Sequence, residues 1–169
     1  MHGQQALTLD PNLADARNNL GLALVQLNQT EAAIEQYRQA IRIRPIFAEA
    51  WYNLGNVLRD TGQTESAIVH FKRAVFLKPD FTDAHLNLAN VLRALRRVEG
   101  ARQHYELAIQ LSPNYASAYY NFGIMLMQIG QIEEARINFA RALRIDPAFT
   151  QAREFLTRLS AIGKPTDRP

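Results

Sequence analysis

Residues 51–79 read WYNLGNVLRDTGQTESAIVHFKRAVFLKP, and the spacing of apolar residues in this stretch decides the fold. Apolar side chains recur three and four residues apart on both sides of Gly62, which is the periodicity of an amphipathic helix. Gly62 is a residue type that tolerates the left-handed turn ending a helix. Pro79 pushes the residue before it out of helical geometry. The stretch therefore predicts two helices joined by a short turn.

The same pattern recurs every 34 residues along the chain. The step is shown by the prolines Pro11, Pro45, Pro79, Pro113 and Pro147, and by the aromatic residues Tyr37, Phe71, Tyr105 and Phe139. Repetition at a fixed period of this length is typical of stacked helical hairpins. The pattern predicts units at 14–47, 48–81, 82–115 and 116–149, with 1–13 as the second-helix remnant of a preceding unit, 150–162 as a C-terminal capping helix and 163–169 as a flexible tail.

Small residues occur at one fixed place in each first helix: Gly21, Gly55, Ala89 and Gly123. We expect the repeated aromatic ring of the second helix to pack against them, since glycine inside a helix costs up to ~1 kcal/mol and needs a reason. The third unit has Arg96 where the others have Gly or Asn at the turn. We therefore expect that turn to be the loosest.

The motif Trp51-x2-Leu54-Gly55-x2-Leu58, followed by Ala67, Phe71, Ala74 and Pro79, closely resembles the tetratricopeptide repeat signature. The resemblance implies an all-α fold, a right-handed α-α superhelical solenoid of 34-residue helix-turn-helix units. It also implies a concave wall lined by the first helix of each unit, and a peptide or protein partner bound there.

Asparagines recur on the unburied side of the first helices. They are Asn19, Asn53, Asn87 and Asn121, with Asn56 and Asn90 one turn later. Asparagine is a poor helix former, by up to ~0.7 kcal/mol relative to alanine. Its amide can hydrogen-bond the backbone of an extended peptide, and similar ladders line the repeats of O-linked N-acetylglucosamine transferase. Alternatively, each amide bonds the neighbouring helix and fixes the stacking; both interpretations stay open, and both can hold.

The other residues of this wall are not uniform along the chain. We predict that Arg59 and Arg93 take an acidic or carbonyl group, and that Tyr52, Tyr120, Ile124 and Met127 are further contacts. Apolar residues on an unburied face suggest a contact site. The alternative is that helix 150–162 or a neighbouring molecule covers the apolar end.

The residue types of the chain and their spacing argue against several classes of function. Cysteine is absent, which excludes disulfides and thiolate metal sites and fits a cytoplasmic location. His70 and His104 share a register about one repeat apart, ~8–10 Å, too far for one metal ion. No phosphate loop, nucleophile elbow or carboxylate pair is visible. We expect no catalytic residue, no metal and no cofactor.

Nucleic acid and membrane are also poor partners on sequence grounds. The arginines of the second helices are interspersed with glutamates and lack a track of stacking aromatics. The longest apolar runs are far shorter than the ~20 residues of a membrane helix.

Two functions remain. The first is a non-enzymatic protein–protein interaction module that binds an extended peptide in its groove, and the alternative is the substrate-recognition arm of a larger enzyme such as a glycosyltransferase. Self-association through exposed terminal repeats is a further expectation. Chaperone-binding repeats grip a terminal carboxylate with a lysine at the fifth position of the unit. Here that position holds Asn18, Tyr52, Leu86 and Tyr120, so a chaperone tail is not expected.

Overall fold

The computed structural model describes the backbone of residues 11–162 and the side chains of residues 13–159. This part of the chain contains nine α-helices and no strand, and its architecture is an all-α helical-repeat solenoid. The helices are α1 (Pro11–Gln26), α2 (Thr30–Ile43), α3 (Ala48–Asp60), α4 (Thr64–Leu77), α5 (Thr82–Ala94), α6 (Val98–Leu111), α7 (Ala116–Gln128), α8 (Ile132–Ile145) and α9 (Thr150–Ile162).

The chain forms two compact units, Met1–Ala84 and His85–Pro169, with the boundary inside α5. In the first unit α1 packs on α2, α2 on α3, and α3 on α4. In the second unit α6 packs on α7, α7 on α8, and α8 on α9. Within each unit, these helices contact their sequence neighbours, as expected for repeats that cannot bury their apolar faces alone.

The start of α1 differs from the sequence expectation. First helices were expected to begin three residues after each proline, and α3, α5, α7 and α9 do so. Helix α1 instead already includes Pro11, which is the first residue that the structure describes. Residues 11–13 therefore belong to α1 rather than to a preceding helix, while residues 1–10 and the tail at 163–169 lie outside the described residues.

The hairpin cores confirm the predicted packing of a ring on a small residue. A Cβ atom built on Gly55 would lie 2.8 Å from Cδ1 of Phe71, and one on Gly123 would lie 2.7 Å from Cε1 of Phe139. Real Cβ atoms essentially never approach a neighbour that closely. Both rings are completely buried. Glycine is therefore required for the two helices of each of these hairpins to approach as closely as they do.

The turn inside each hairpin uses one left-handed residue, whichever residue type stands there. The φ angles are 56° at Asn28, 78° at Gly62, 57° at Arg96 and 80° at Gly130. At Arg96 the amide of Arg97 bonds the carbonyl of Leu92 at 2.9 Å, against 2.8 Å for the equivalent bond from Gln63. The hydrogen bonds of the third turn do not show the looser closure that we expected. The third turn differs from the others in another way. Arg96 is neither glycine nor asparagine, so the left-handed conformation strains its backbone.

Replacing Arg96 by glycine is expected to raise the free energy of unfolding by about 0.5–1 kcal/mol. A non-glycine residue in this conformation costs roughly 1–2 kcal/mol, part of which the greater freedom of glycine in the unfolded chain offsets. Gly130→Ala is the matched control. It should be destabilising because the φ angle of Gly130 is positive, and backbone strain is the only cause since no atom lies within 4 Å of the new Cβ. Urea unfolding measures both; a less stable Arg96→Gly protein contradicts the strain argument.

Candidate functional site

The predicted amide positions of the first unit lie on α1 and α3, and their surroundings differ. Asn19 is exposed to solvent. Asn53 is half-buried, and its Nδ2 donates to Oδ1 of Asn18 at 2.9 Å. Asn18 is only 6% exposed. A side-chain bond from α1 to α3 is what the stacking interpretation requires, so Asn53 has a structural role in this unit.

Two further predicted residues lie in the second half of α3. Asn56 and Arg59 are both half-buried. The Nε of Arg59 donates to Oδ1 of Asp60 at 2.9 Å. That exposed pair adds little to stability, and it uses one of the five N–H donors of the guanidinium.

In the second unit a hydrogen-bond network ties the predicted site residues to the core. The hydroxyl of Tyr105 donates to Oδ1 of Asn90 at 2.7 Å and accepts from Nε of Arg93 at 3.2 Å. Nη1 of Arg93 also donates to Oε1 of Gln128, 3.3 Å away. Burial raises the pKa of Tyr105 to about 12, although Arg93 pulls it down, so the phenol stays a neutral donor. The network joins α5, α6 and α7 and fixes the position of Arg93.

The remaining ladder residues are Asn87 on α5 and Asn121 on α7, both half-buried. The Nδ2 of Asn121 donates to the carbonyl of Ser117, one turn earlier in the same helix, at 2.9 Å. Among the residues that the structure describes, Asn19 and the Oδ1 of Asn121 have no hydrogen-bond partner. These two amides therefore have unused hydrogen-bonding capacity, whereas Asn53 and Asn90 are engaged within the fold.

The tyrosines predicted to contact a partner also pack against phenylalanine rings of the fold. The ring of Tyr52 lies 4.7 Å from that of Phe81, and the ring of Tyr120 lies 5.0 Å from that of Phe149 and 6.2 Å from that of Phe155. Such pairs are worth about 0.5–1.5 kcal/mol beyond burial. Phe155 belongs to α9, so this helix contacts Tyr120. Such a contact is what we expected if helix 150–162 covers the apolar end. Both tyrosines remain half-buried.

Apolar residues on the same helices retain solvent exposure. Leu22 and Val25 of α1 are 43% and 41% exposed. Ile124 and Met127 of α7 are half-buried, and the sequence of α7 contains no charged residue. These four side chains offer apolar surface beside the amides of their helix.

Ion pairs of one register flank the face in the first unit. Oδ1 of Asp15 lies 2.6 Å from Nη2 of Arg44, and Oε1 of Glu49 lies 3.0 Å from Nζ of Lys78. Burial alone would raise the pKa of Glu49, but its hydrogen bonds and the charge of Lys78 outweigh this and lower it. The bond to Glu49 raises the pKa of Lys78. Since both groups are substantially exposed, the pair contributes little stability, and that contribution is lost as pH falls through the folded pKa of Glu49.

A histidine pair that we did not predict lies between α5 and α6. The Nδ1 atoms of His85 and His104 are 2.9 Å apart, and His85 is only 5% exposed. One ring must donate and the other accept, so only one of the two Nδ1 atoms carries a proton. Trp51 and His70 contact each other at the same registers, with ring centroids 5.3 Å apart. Both pairs are separated by 19 residues, and this recurring separation is the sequence signal that would have predicted the contact.

No group of three or more His, Cys, Asp or Glu side chains that could hold a metal ion occurs among the described residues. The histidine pair supplies two nitrogen donors and no third ligand. None of the helices in the same part of the chain is long and apolar enough to span a bilayer.

Comparison with solved structures shows where this architecture recurs. The chain is similar to the crystal structure of MamA, with 26% identity over 88% of this chain and 86% of that one, and a TM-score of 0.76. It is similar to YrrB, described as a TPR protein with an unusual peptide-binding site, at 25% identity over 89% and 78% of the two chains and a TM-score of 0.75. Pseudomonas aeruginosa pilF, at 24% identity over 89% and 69% with a TM-score of 0.83, shows the fold alone. A search of curated proteins found no match.

Family models agree along nearly the whole chain. Four models of the tetratricopeptide repeat match residues 2–35, 21–59, 52–116 and 92–159. Proteins built of these repeats are typically non-catalytic interaction modules. The overlapping matches, the 34-residue period and the helical hairpins lead to one conclusion: the chain belongs to the tetratricopeptide-repeat family.

Proposed function

We propose that the chain is a protein-interaction scaffold that binds an extended peptide segment of a partner along the face of its first helices, the concave groove that the family resemblance implies. The observation that carries the proposal is the unused hydrogen-bonding capacity of Asn19 and Asn121 beside apolar side chains of the same helices. YrrB, which has this fold at 25% identity, is described as having a peptide-binding site.

An amide suits this role because it both donates and accepts. A peptide in extended conformation presents N–H and C=O groups along its length whatever its side chains are. A free asparagine amide can bond either group, so the contact depends on peptide conformation rather than on sequence. Asn53 and Asn90 would instead hold the helices in place. Peptide binding would then be the role of some asparagines of the ladder, and helix stacking the role of others.

Specificity would come from the residues around the amides. Arg93, fixed by Tyr105 and Gln128, is suited to an acidic side chain or a carbonyl of the partner. Leu22 and Met127 exemplify the apolar contacts on α1 and α7. Because the fifth position of the repeats contains no lysine, we propose an internal segment of the partner as ligand rather than its terminal carboxylate.

The same face would serve the substrate-recognition arm of a larger enzyme such as a glycosyltransferase. That role also needs a substrate chain in extended conformation, held by its backbone.

The double substitution Asn19→Ala and Asn121→Ala is expected to weaken peptide binding at least tenfold. Two amide hydrogen bonds contribute roughly 0.5–1.5 kcal/mol each, and about 1.4 kcal/mol corresponds to tenfold. The probes are peptides selected from a random dodecapeptide library on the wild-type protein, with affinities measured by fluorescence anisotropy. The variant should not unfold at a lower temperature than the wild type, because neither amide bonds another helix and alanine is the better helix former by up to ~0.7 kcal/mol.

Gln39→Ala is the control. Its Nε2 donates to Oε1 of Glu35 one turn earlier in the same helix at 2.9 Å, but it lies on the second helix α2. This variant should bind the selected peptides normally. Equal affinity of the wild type and the double variant would exclude these amides from recognition.

A further inference from the structure

Two adjoining cavities lie on α8 in the second unit, and the proposed groove function does not use them. They measure about 490 and 530 Å³, and Arg141 and Arg144 line both. We call the exposed side of α8 around these residues the α8 arginine surface. It is formed by Arg136, Ile137, Ala140, Arg141 and Arg144 of α8, with Tyr119 of α7.

The guanidinium groups of Arg141 and Arg144 have no carboxylate partner within the part of the chain that the structure describes. Arg136, at the other end of the surface, is paired with Glu133 at 2.8 Å. Asp146 follows α8 directly, but its Oδ1 accepts from the backbone N–H of Ala148 at 2.9 Å. The positive charge of the last turns of α8 is therefore available to a ligand.

One of the two free arginines is also held in position. Cζ of Arg141 lies 5.8 Å from the ring centroid of Tyr119, within range of a cation–π contact. Arg73 and Trp51 form the corresponding contact in the first unit at 6.0 Å. An arginine fixed over a ring loses less freedom when it binds a carboxylate, and its planar fork can bind both oxygens.

The cavity of about 490 Å³ combines this charge with apolar surface. Ile137 is 63% exposed, and it lines the cavity together with Tyr119 and Ala140. Ile137, Tyr119 and Ala140 thus give this concave site an apolar wall beside the arginines. The cavity would therefore take an apolar side chain while the two free arginines bind adjacent acidic groups.

We propose that the α8 arginine surface is a second docking site, for a short acidic peptide segment that carries an apolar residue among its Asp or Glu side chains. Charge complementarity identifies the ligand. The acidic groups bind Arg141 and Arg144, and the apolar side chain enters the cavity beside Ile137. The site lies on a second helix, so it is separate from the amides of the first helices.

A nucleic acid fits this surface less well than a short peptide. Glu133 and Glu134 lie at the beginning of α8, roughly 15 Å before Arg144 at 1.5 Å per residue. A continuous polyanion following the helix would bring phosphates towards these carboxylates. A segment with only two or three acidic residues can remain at the arginines.

The test uses a fluorescein-labelled octapeptide containing three glutamates around a central phenylalanine, with anisotropy measured on the full chain. Replacing both free arginines (Arg141→Gln with Arg144→Gln) should weaken binding at least tenfold. The control pair Arg38→Gln and Arg42→Gln removes the same charge from exposed positions of α2 and should change affinity less than twofold. The same peptide with glutamines in place of glutamates should not bind the wild type. The groove variant with alanine at Asn19 and Asn121 should bind the acidic probe normally.

Three results would overturn the proposal. One is equal weakening by the two arginine pairs, which would mean attraction by net charge alone. Another is full binding of the glutamine peptide. The third is displacement of the acidic probe at the same arginines by a short oligouridylate at lower concentration than by unlabelled peptide, which would make RNA the better ligand.

Discussion

Substituting valine for Gly55 is expected to lower the free energy of unfolding by about 3 kcal/mol, the upper part of the range for overpacked cores. A Cβ at this position would already lie 2.8 Å from both Cδ1 and Cε1 of Phe71, and valine adds two methyl groups. Phe71 is completely buried, so its ring can yield only if α3 and α4 separate. Urea unfolding followed by circular dichroism measures the effect.

The control for Gly55→Val distinguishes a clash with Phe71 from any other effect of the substitution. Phe71→Ala alone should cost roughly 3–5 kcal/mol through the cavity that it leaves. Combined with Gly55→Val it should cost less than the sum of the two single effects, because the valine methyls occupy part of that cavity. Additive losses would show that Gly55 and Phe71 do not act on each other. Gly55→Ala should be milder, since the third unit has Ala89 at this register.

The hairpins were predictable because the interactions that form them are local and are repeated. The 34-residue step fixed which residue of the second helix faces which residue of the first, so the contact of Gly55 with Phe71 followed from spacing. The same step gave the beginnings of α3, α5, α7 and α9. The helical state of residues 11–13 was missed, because the repeated prolines lie three residues before the first helix of every later unit.

The candidate site was less predictable, because hydrogen bonds depend on which neighbour a side chain reaches. Asn53 and Asn121 share one register of the repeat, yet Asn53 bonds Asn18 while Asn121 bonds its own helix. The partner changes because the fifth position holds an amide in the first unit and aromatic or aliphatic residues elsewhere. Helical spacing places residues on a face, but it does not say which amides remain free.

High pH is expected to destabilise the protein through two buried tyrosines, by up to about 2–3 kcal/mol each. Burial raises the pKa of Tyr37 to about 12 and that of Tyr105 to about 12 from the ordinary 10.0. The unfolded chain therefore loses these protons near pH 10 while the folded chain retains them. The stabilisation is complete below pH 10, and it falls as pH rises from 10 towards 12. Unfolding free energies in urea at pH 8 and pH 11 give the slope.

Phenylalanine at these positions isolates the tyrosine contribution, since lysine deprotonation occurs in every variant and cancels in the comparison. Phe71 and Phe139 occupy the same register in other repeats, so the ring should fit. Tyr37→Phe should leave stability at pH 8 nearly unchanged and make the alkaline slope shallower. Tyr105→Phe should do the same but lose about 1 kcal/mol at pH 8, because it removes the 2.7 Å bond to Asn90. If both phenylalanine variants lose stability between pH 8 and pH 11 as steeply as the wild type, the buried phenols do not cause the alkaline loss. The loss of stability at high pH would then have to come from groups elsewhere in the chain.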